Sequence, residues 1–120
     1  MRFDGHTGAV AICADTGRPA HAQLAADRGA DSFFAGVFVI PSDFDSDMAR
    51  LRQYAVRHRM AIVFANFGGP SGGLPSAGRS AVIGETGASL VELGATGPGI
   101  AVARESHDGW RVEALLCAPP

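Results

Sequence analysis

Gly8-Ala9-Val10-Ala11-Ile12-Cys13-Ala14-Asp15-Thr16-Gly17-Arg18-Pro19 is the stretch on which the fold turns. Its first six residues form an apolar run rich in strand formers, the pattern of a buried strand. Ala14 to Arg18 is turn chemistry. Pro19 then suits the first turn of a helix, where its fixed φ is already helical and its missing N–H would have had no partner. The helix extends to about Arg28 and carries Ala22, Leu24, Ala25 and Ala26, with Gly29 stopping it from the C′ position. Ser32 to Ile40 reads as a second buried strand, through Phe33-Phe34-Ala35-Gly36-Val37-Phe38-Val39. Strand, helix and strand in succession make a βαβ unit, which predicts two parallel neighbouring strands.

Outward from that unit the alternation continues. Ser42 or Asp43 can cap a second helix that bears Met48, Leu51, Tyr54, Ala55 and Val56 at spacings of three and four, so one face is apolar. Arg50, Arg57 and Arg59 fall on the opposite, solvated face. Ala61 to Asn66 is a third buried strand. Gly68-Gly69-Pro70-Ser71-Gly72-Gly73-Leu74-Pro75 is a loop, because no regular element could contain it. Ala81-Val82-Ile83 and Ala88 to Leu93 flank Glu85-Thr86-Gly87, a hairpin signal. Gly99 to Ala103 is another apolar strand and Trp110 to Leu116 a further one. The fold class is therefore α/β, with about two helices and six or seven strands and no internal repeat.

A chain of 120 residues fits one domain, and 47% hydrophobic with 18% charged residues is globular composition. The net charge of −2 offers no basic field for nucleic acid or an anionic membrane, so neither is an expected partner. All ten positive residues are arginine, and lysine is absent. Met1 to His6 has no apolar signal core, and no apolar run approaches the ~20 residues that span a bilayer. Cys13 and Cys117 lie far apart without CxxC or Cys/His spacing. No metal site or cofactor is expected, and a reduced, cytoplasmic protein is.

A cysteine at the C-terminal end of a buried strand, before a turn and a helix N-terminus, is placed for nucleophilic work. Helix dipole and free backbone N–H groups there lower a thiol pKa and can bind an oxyanion. The bland reading is a buried structural cysteine. Asp15 is expected to cap the helix through its carboxylate rather than to act chemically. His6 and His21 read as surface residues, although a Cys–His pair would be chemically sensible. The Gly68–Gly73 loop lacks the Gly-Lys-Ser/Thr ending of a phosphate loop and opens no helix. Asn66 and Ser80 are expected to hold strand ends by hydrogen bonds, and Cys117 looks incidental.

Cys13-x-Asp15-x-x-x-Pro19, followed by Gly29-Ala30-Asp31, resembles the nucleophile motif of the nitrilase superfamily of carbon–nitrogen hydrolases. Tyr54-Ala55 leading into Ala61-Ile62-Val63-Phe64-Ala65-Asn66 resembles that family's helix and strand ending at asparagine. Gly78-Arg79-Ser80-Ala81-Val82-Ile83 before Glu85-Thr86-Gly87 resembles its Gly-x-Ser strand and hairpin turn. The three motifs stand in the family's order and cover most of the chain. Ala14, Ala20, Arg57 and His58 depart from residues common in relatives, which bears on substrate rather than fold.

The resemblance implies half of an α-β-β-α sandwich, with residues 1–120 forming a single partial domain, the C-terminal half. It implies that Cys13 attacks an amide or nitrile carbon of a small molecule and forms a thioester that water hydrolyses. Ala14, Asp15 and Asn66 become oxyanion or second-shell candidates. The family's glutamate base and oxyanion-binding lysine precede the cysteine motif. Here the twelve residues before Cys13 include no glutamate, and no lysine occurs anywhere. Three readings are open: a fragment of a complete amidase, an inactive half-domain that assembles with a partner, or a cysteine enzyme using a histidine. Either of the first two leaves sheet surface exposed, so a homodimer, or complementation by a missing N-terminal half, is expected.

Overall fold

A computed structural model describes residues 1–118. Eight strands and two α-helices follow one another in the order β1 (Arg2–Phe3), β2 (His6–Ile12), α1 (Pro19–Asp27), β3 (Ser32–Val37), α2 (Pro41–His58), β4 (Ala61–Asn66), β5 (Ala81–Ile83), β6 (Ser89–Glu92), β7 (Gly99–Ser106) and β8 (Gly109–Leu116). A 3₁₀ turn over Cys13–Gly17 joins β2 to α1. The α/β class and the two helices agree with the sequence reading. The strand count exceeds it by the short β1, which pairs antiparallel with β2 across Asp4-Gly5. Both turn residues have positive φ, as a two-residue hairpin turn requires.

Strands β1 to β6 form one sheet in sequence order, and β7–β8 a separate two-stranded sheet. Within the large sheet β2, β3 and β4 are parallel, and α1 and α2 make the two crossovers. The outer pairs β4–β5 and β5–β6 are antiparallel. No helix among the described residues is long and apolar enough to cross a membrane.

Helix α1 closes with a Schellman motif. Gly29, at φ 78°, donates to the Ala26 carbonyl and Ala30 donates to the Ala25 carbonyl, so the terminal carbonyls are satisfied where only glycine bears no steric cost. Its buried residues are Ala22 and Ala25, small enough to let the helix lie close to the sheet, while Leu24 is exposed. Helix α2 starts one residue before the expected caps. Pro41 occupies its first turn, and neither Ser42 nor Asp43 caps it. Phe44, Met48, Leu51, Tyr54 and Ala55 are buried, but Val56 is exposed, because its position lies beyond the edge of the stripe that faces the sheet. β3 also ends earlier than expected. Phe38 to Ile40 leave the ladder as extended chain leading to Pro41, which disfavours a helical residue before it.

The core lies between the helices and one face of the sheet. Ala11, Phe33, Ala35, Ile62, Phe64, Ala81 and Ile83 belong to it. Phe33 meets Tyr54 of α2 edge-on, and Phe64 meets Phe44 in the same way. Strand alternation sends the intervening residues to the other face. There the register aligns Val10, Phe34, Val63, Val82 and Val91 in one apolar row across five strands. The β7–β8 hairpin lies along the β5–β6 side of this face and buries Val82, whereas Val10 remains 52% exposed.

Candidate active site

Cys13 follows directly on β2, one position past the Ile12–Gly36–Ala65 alignment of the three parallel strands. This is the edge at which the connections leaving parallel strands gather ligands in open α/β sheets. The cysteine is exposed and has φ 50°, in the left-handed region that a Cβ disfavours by about 1–2 kcal/mol. Ordinary strand geometry would carry the side chain along the sheet. The left-handed residue instead turns the chain sharply into the 3₁₀ turn.

Three side chains hold that turn. Asp15 accepts the Ile12 backbone N–H at Oδ2 (3.2 Å), so its carboxylate braces the last strand residue against the turn. It does not cap α1, whose first turn begins at Pro19 behind the uncapped Arg18. Thr16 Oγ1 donates to the Cys13 carbonyl (2.7 Å), a local side-chain bond typical of threonine three residues along. Tyr54 reaches from α2 and donates its hydroxyl to the Thr16 carbonyl (3.1 Å). Burial raises the Tyr54 phenol above its usual range, against a smaller pull from Arg50, which keeps the hydroxyl a donor. Ala14 is the second residue of the turn, where geometry gives the backbone N–H no acceptor within the turn.

Asn66 closes β4 beside the same edge. Its amide donates to the Val39 carbonyl (3.2 Å) and the Gly78 carbonyl (2.9 Å), and its Oδ1 accepts the Val39 N–H (2.8 Å). Both amide hydrogens are engaged, which leaves no donor for an oxyanion. Ser80 completes the arrangement, accepting the Asn66 N–H (2.9 Å) and donating to its carbonyl (3.1 Å). Phe67 and the Gly68–Leu74 loop leave from this edge too, and Phe67 packs against Phe38 at a centroid separation of 6.3 Å.

His21 is not directed at the cysteine by its hydrogen bonding. Its Nε2 lies 3.0 Å from the Val10 carbonyl, so that nitrogen carries the hydrogen, and the ring packs on Phe33. His6 stands at the opposite end of β2, 3.4 Å from Asp31. The Cys13 turn packs against β2, β3, α1 and α2, and none of these elements carries a glutamate. Glu92 is ion-paired with Arg79 (2.6 Å), and Glu105 and Glu113 lie on the hairpin.

A cavity of about 660 Å³ lies between the sheet and the hairpin. Phe34, Val63, Val82, Arg59, Glu85 and Trp110 are among its lining, and no residue of the Cys13 turn is. The tether through Thr16 and Tyr54 is not legible in the sequence, where Tyr54 counts as part of an apolar stripe and of the motif leading to Asn66. The threonine three residues after the cysteine was the one local signal of it.

No family model matches the chain, and a comparison with curated proteins finds no match. Solved structures do match. A mutant of the amidase from Nesterenkonia sp. AN1, which shows the result of Michael addition of acrylamide at its active-site cysteine, is similar at a TM-score of 0.70 and 24% identity. That match covers 99% of this chain and 41% of the amidase. A double mutant of the same amidase in complex with acrylamide is 28% identical over 80% of this chain and 37% of its own, at a TM-score of 0.69. A carbon–nitrogen hydrolase from Helicobacter pylori is similar at a TM-score of 0.69 and 17% identity, over 78% of this chain and 38% of that one. The chain thus spans about two fifths of the length of these structures. Over that portion, it has the α/β fold of nitrilase-superfamily amidases and carbon–nitrogen hydrolases.

Proposed function

We propose that this chain supplies the nucleophile of a carbon–nitrogen hydrolase acting on a small amide or nitrile. The observation that carries the reading is Cys13 itself, exposed and left-handed at the C-terminal end of a parallel strand in a fold shared with amidases. For an amide, the Cys13 thiolate attacks the carbonyl carbon and the carbonyl π electrons move to oxygen. The Ala14 N–H is the chain's own candidate donor to that oxyanion. Collapse breaks the C–N bond, the nitrogen leaves as amine after taking up a proton, and a thioester remains. Water then attacks the thioester, releasing the carboxylic acid and returning the proton to sulfur.

The proton transfers need a base and the oxyanion a stronger donor. In this reading a glutamate and a lysine come from outside residues 1–120, through an N-terminal half that packs on the open side of the sheet. The apolar row from Val10 to Val91 supports that placement. The test is ammonia release from short aliphatic amides by this chain, alone and mixed with the N-terminal half of an amidase of this fold. Release is expected only in the mixture, and Cys13→Ala should lower it by at least about 10²-fold. Release indifferent to Cys13 would overturn the reading.

A second reading is a non-catalytic half-domain that pairs with itself through the same face. The absence of lysine, and of glutamate on every element around Cys13, favours it. Sedimentation then finds a dimer without amidase activity, and a monodisperse monomer would sink it.

A further inference from the structure

Between α2 and the nucleophile runs a chain of hydrogen bonds that no proton transfer in the proposed reaction uses. Tyr54 is buried in the core, its ring set by edge-on contact with Phe33. From there its hydroxyl donates to the Thr16 carbonyl (3.1 Å), and the Thr16 hydroxyl donates to the Cys13 carbonyl (2.7 Å). Thr16 is itself buried, and the Tyr54 bond to it forms away from competing water, while the bond to Cys13 is partly buried. The two bonds run in series, the second ending on the carbonyl of Cys13, the single residue in the turn with positive φ. A left-handed cysteine persists only where its surroundings over-determine it. The sheet determines one side through Asp15 and the Ile12 N–H, and α2 determines the other through Tyr54.

We infer that Tyr54 and Thr16 are positioning residues for Cys13, holding its backbone left-handed so that the thiol stands clear of the sheet edge. The inference rests on Cys13 being the nucleophile. It assigns α2 the task of keeping the nucleophile presented. With the tether removed, the turn relaxes toward negative φ, and the thiol is presented for a smaller share of the time.

Cys117 supplies an internal reference, since it is also free and exposed and follows β8 on the separate hairpin sheet. The experiment treats the full chain with limiting iodoacetamide and measures alkylation of Cys13 relative to Cys117 by peptide mass spectrometry. Wild type is compared with Tyr54→Phe, Thr16→Val and Thr16→Ser, with circular dichroism and thermal midpoints recorded for each. Tyr54→Phe and Thr16→Val should each lower the Cys13-to-Cys117 ratio about fivefold, the scale set by loss of one net hydrogen bond, and Thr16→Ser should restore it. Equal ratios in all four proteins would overturn the inference. So would a fall in both cysteines together, or a Thr16→Ser variant as impaired as Thr16→Val. Because alkylation requires no hydrolysis, failure of the amidase assay and failure of the positioning role are read separately.

Discussion

On the helix side of the sheet, Phe33, Ile62, Phe64 and Ile83 are fully or almost fully buried beneath α1 and α2. On the other side Val10 and Ile12, which flank the core residue Ala11 along β2, stand 52% and 68% exposed. The two faces are built from the same kinds of residue, as strands covered on both sides are. What differs is the cover. The βαβ crossovers must place α1 and α2 on one side because connections between parallel strands have a fixed hand. Among the described residues, the opposite side receives the β7–β8 hairpin, which reaches the β5–β6 end. Burial along a single row therefore runs from Val82 beneath the hairpin to Val10 in the open.

This contrast can be broken most sharply by truncation. Phe64→Ala should destabilise the chain by about 3–5 kcal/mol in urea unfolding, because the cavity opens in the packed face. Phe34→Ala, its counterpart on the open face, should cost less than half as much, and equal costs would mean that the faces do not differ. Next in size is Asn66→Ala, which strands the Val39 N–H and the Gly78 carbonyl while the Val39 carbonyl keeps the Ala77 N–H, at about 1–3 kcal/mol by the same measurement. A smaller effect separates stability from assembly. Val10→Thr and Ile12→Thr keep β-branched side chains, so each should leave the chain's own unfolding within about 0.5 kcal/mol of wild type. Self-association in sedimentation should nevertheless weaken, if the open face is where a second sheet packs.

The smallest effect lies at the N-terminal end of the parallel strands. Desolvation pushes the Asp31 carboxyl up, but the Thr7 N–H, the Ser32 hydroxyl and His6 outweigh it and hold the carboxyl below its usual range. A depressed folded value contributes stability above the unfolded value, and that contribution is lost as pH falls through the folded one. Asp31→Asn should thus lower the urea midpoint near pH 7, with the gap narrowing below about pH 4. A gap independent of pH would show that the carboxylate's charge is not what matters there.

Much of this was legible because it depends on local periodicity and punctuation. Ala61–Asn66, Ala81–Ile83 and the helix ended by Gly29 stand where apolar runs and glycine positions put them. The bounds of β3 and α2 were misplaced because Pro41 overrides the polar residues after it as a helix start. Val56 was misassigned because a spacing of three or four does not reveal how wide the buried stripe is. At the site, the position of Cys13 could be read from strand, turn and proline. Its left-handed φ and the hold exerted through Thr16 could not, since the contact on the Thr16 carbonyl comes from Tyr54, thirty-eight residues further along the chain. Asp15 was recognised as a backbone acceptor but assigned to the wrong element. Its partner is the strand residue three positions before it.

The conformation of Cys13 also has a bearing on how this position tolerates change. Glycine would occupy φ 50° without steric penalty, and asparagine with less than a thiol-bearing side chain meets. Repeated rounds of mutation screened only for heat resistance would therefore drift toward those residues here. The best-behaved variants of such a library would be the ones that had discarded the sulfur.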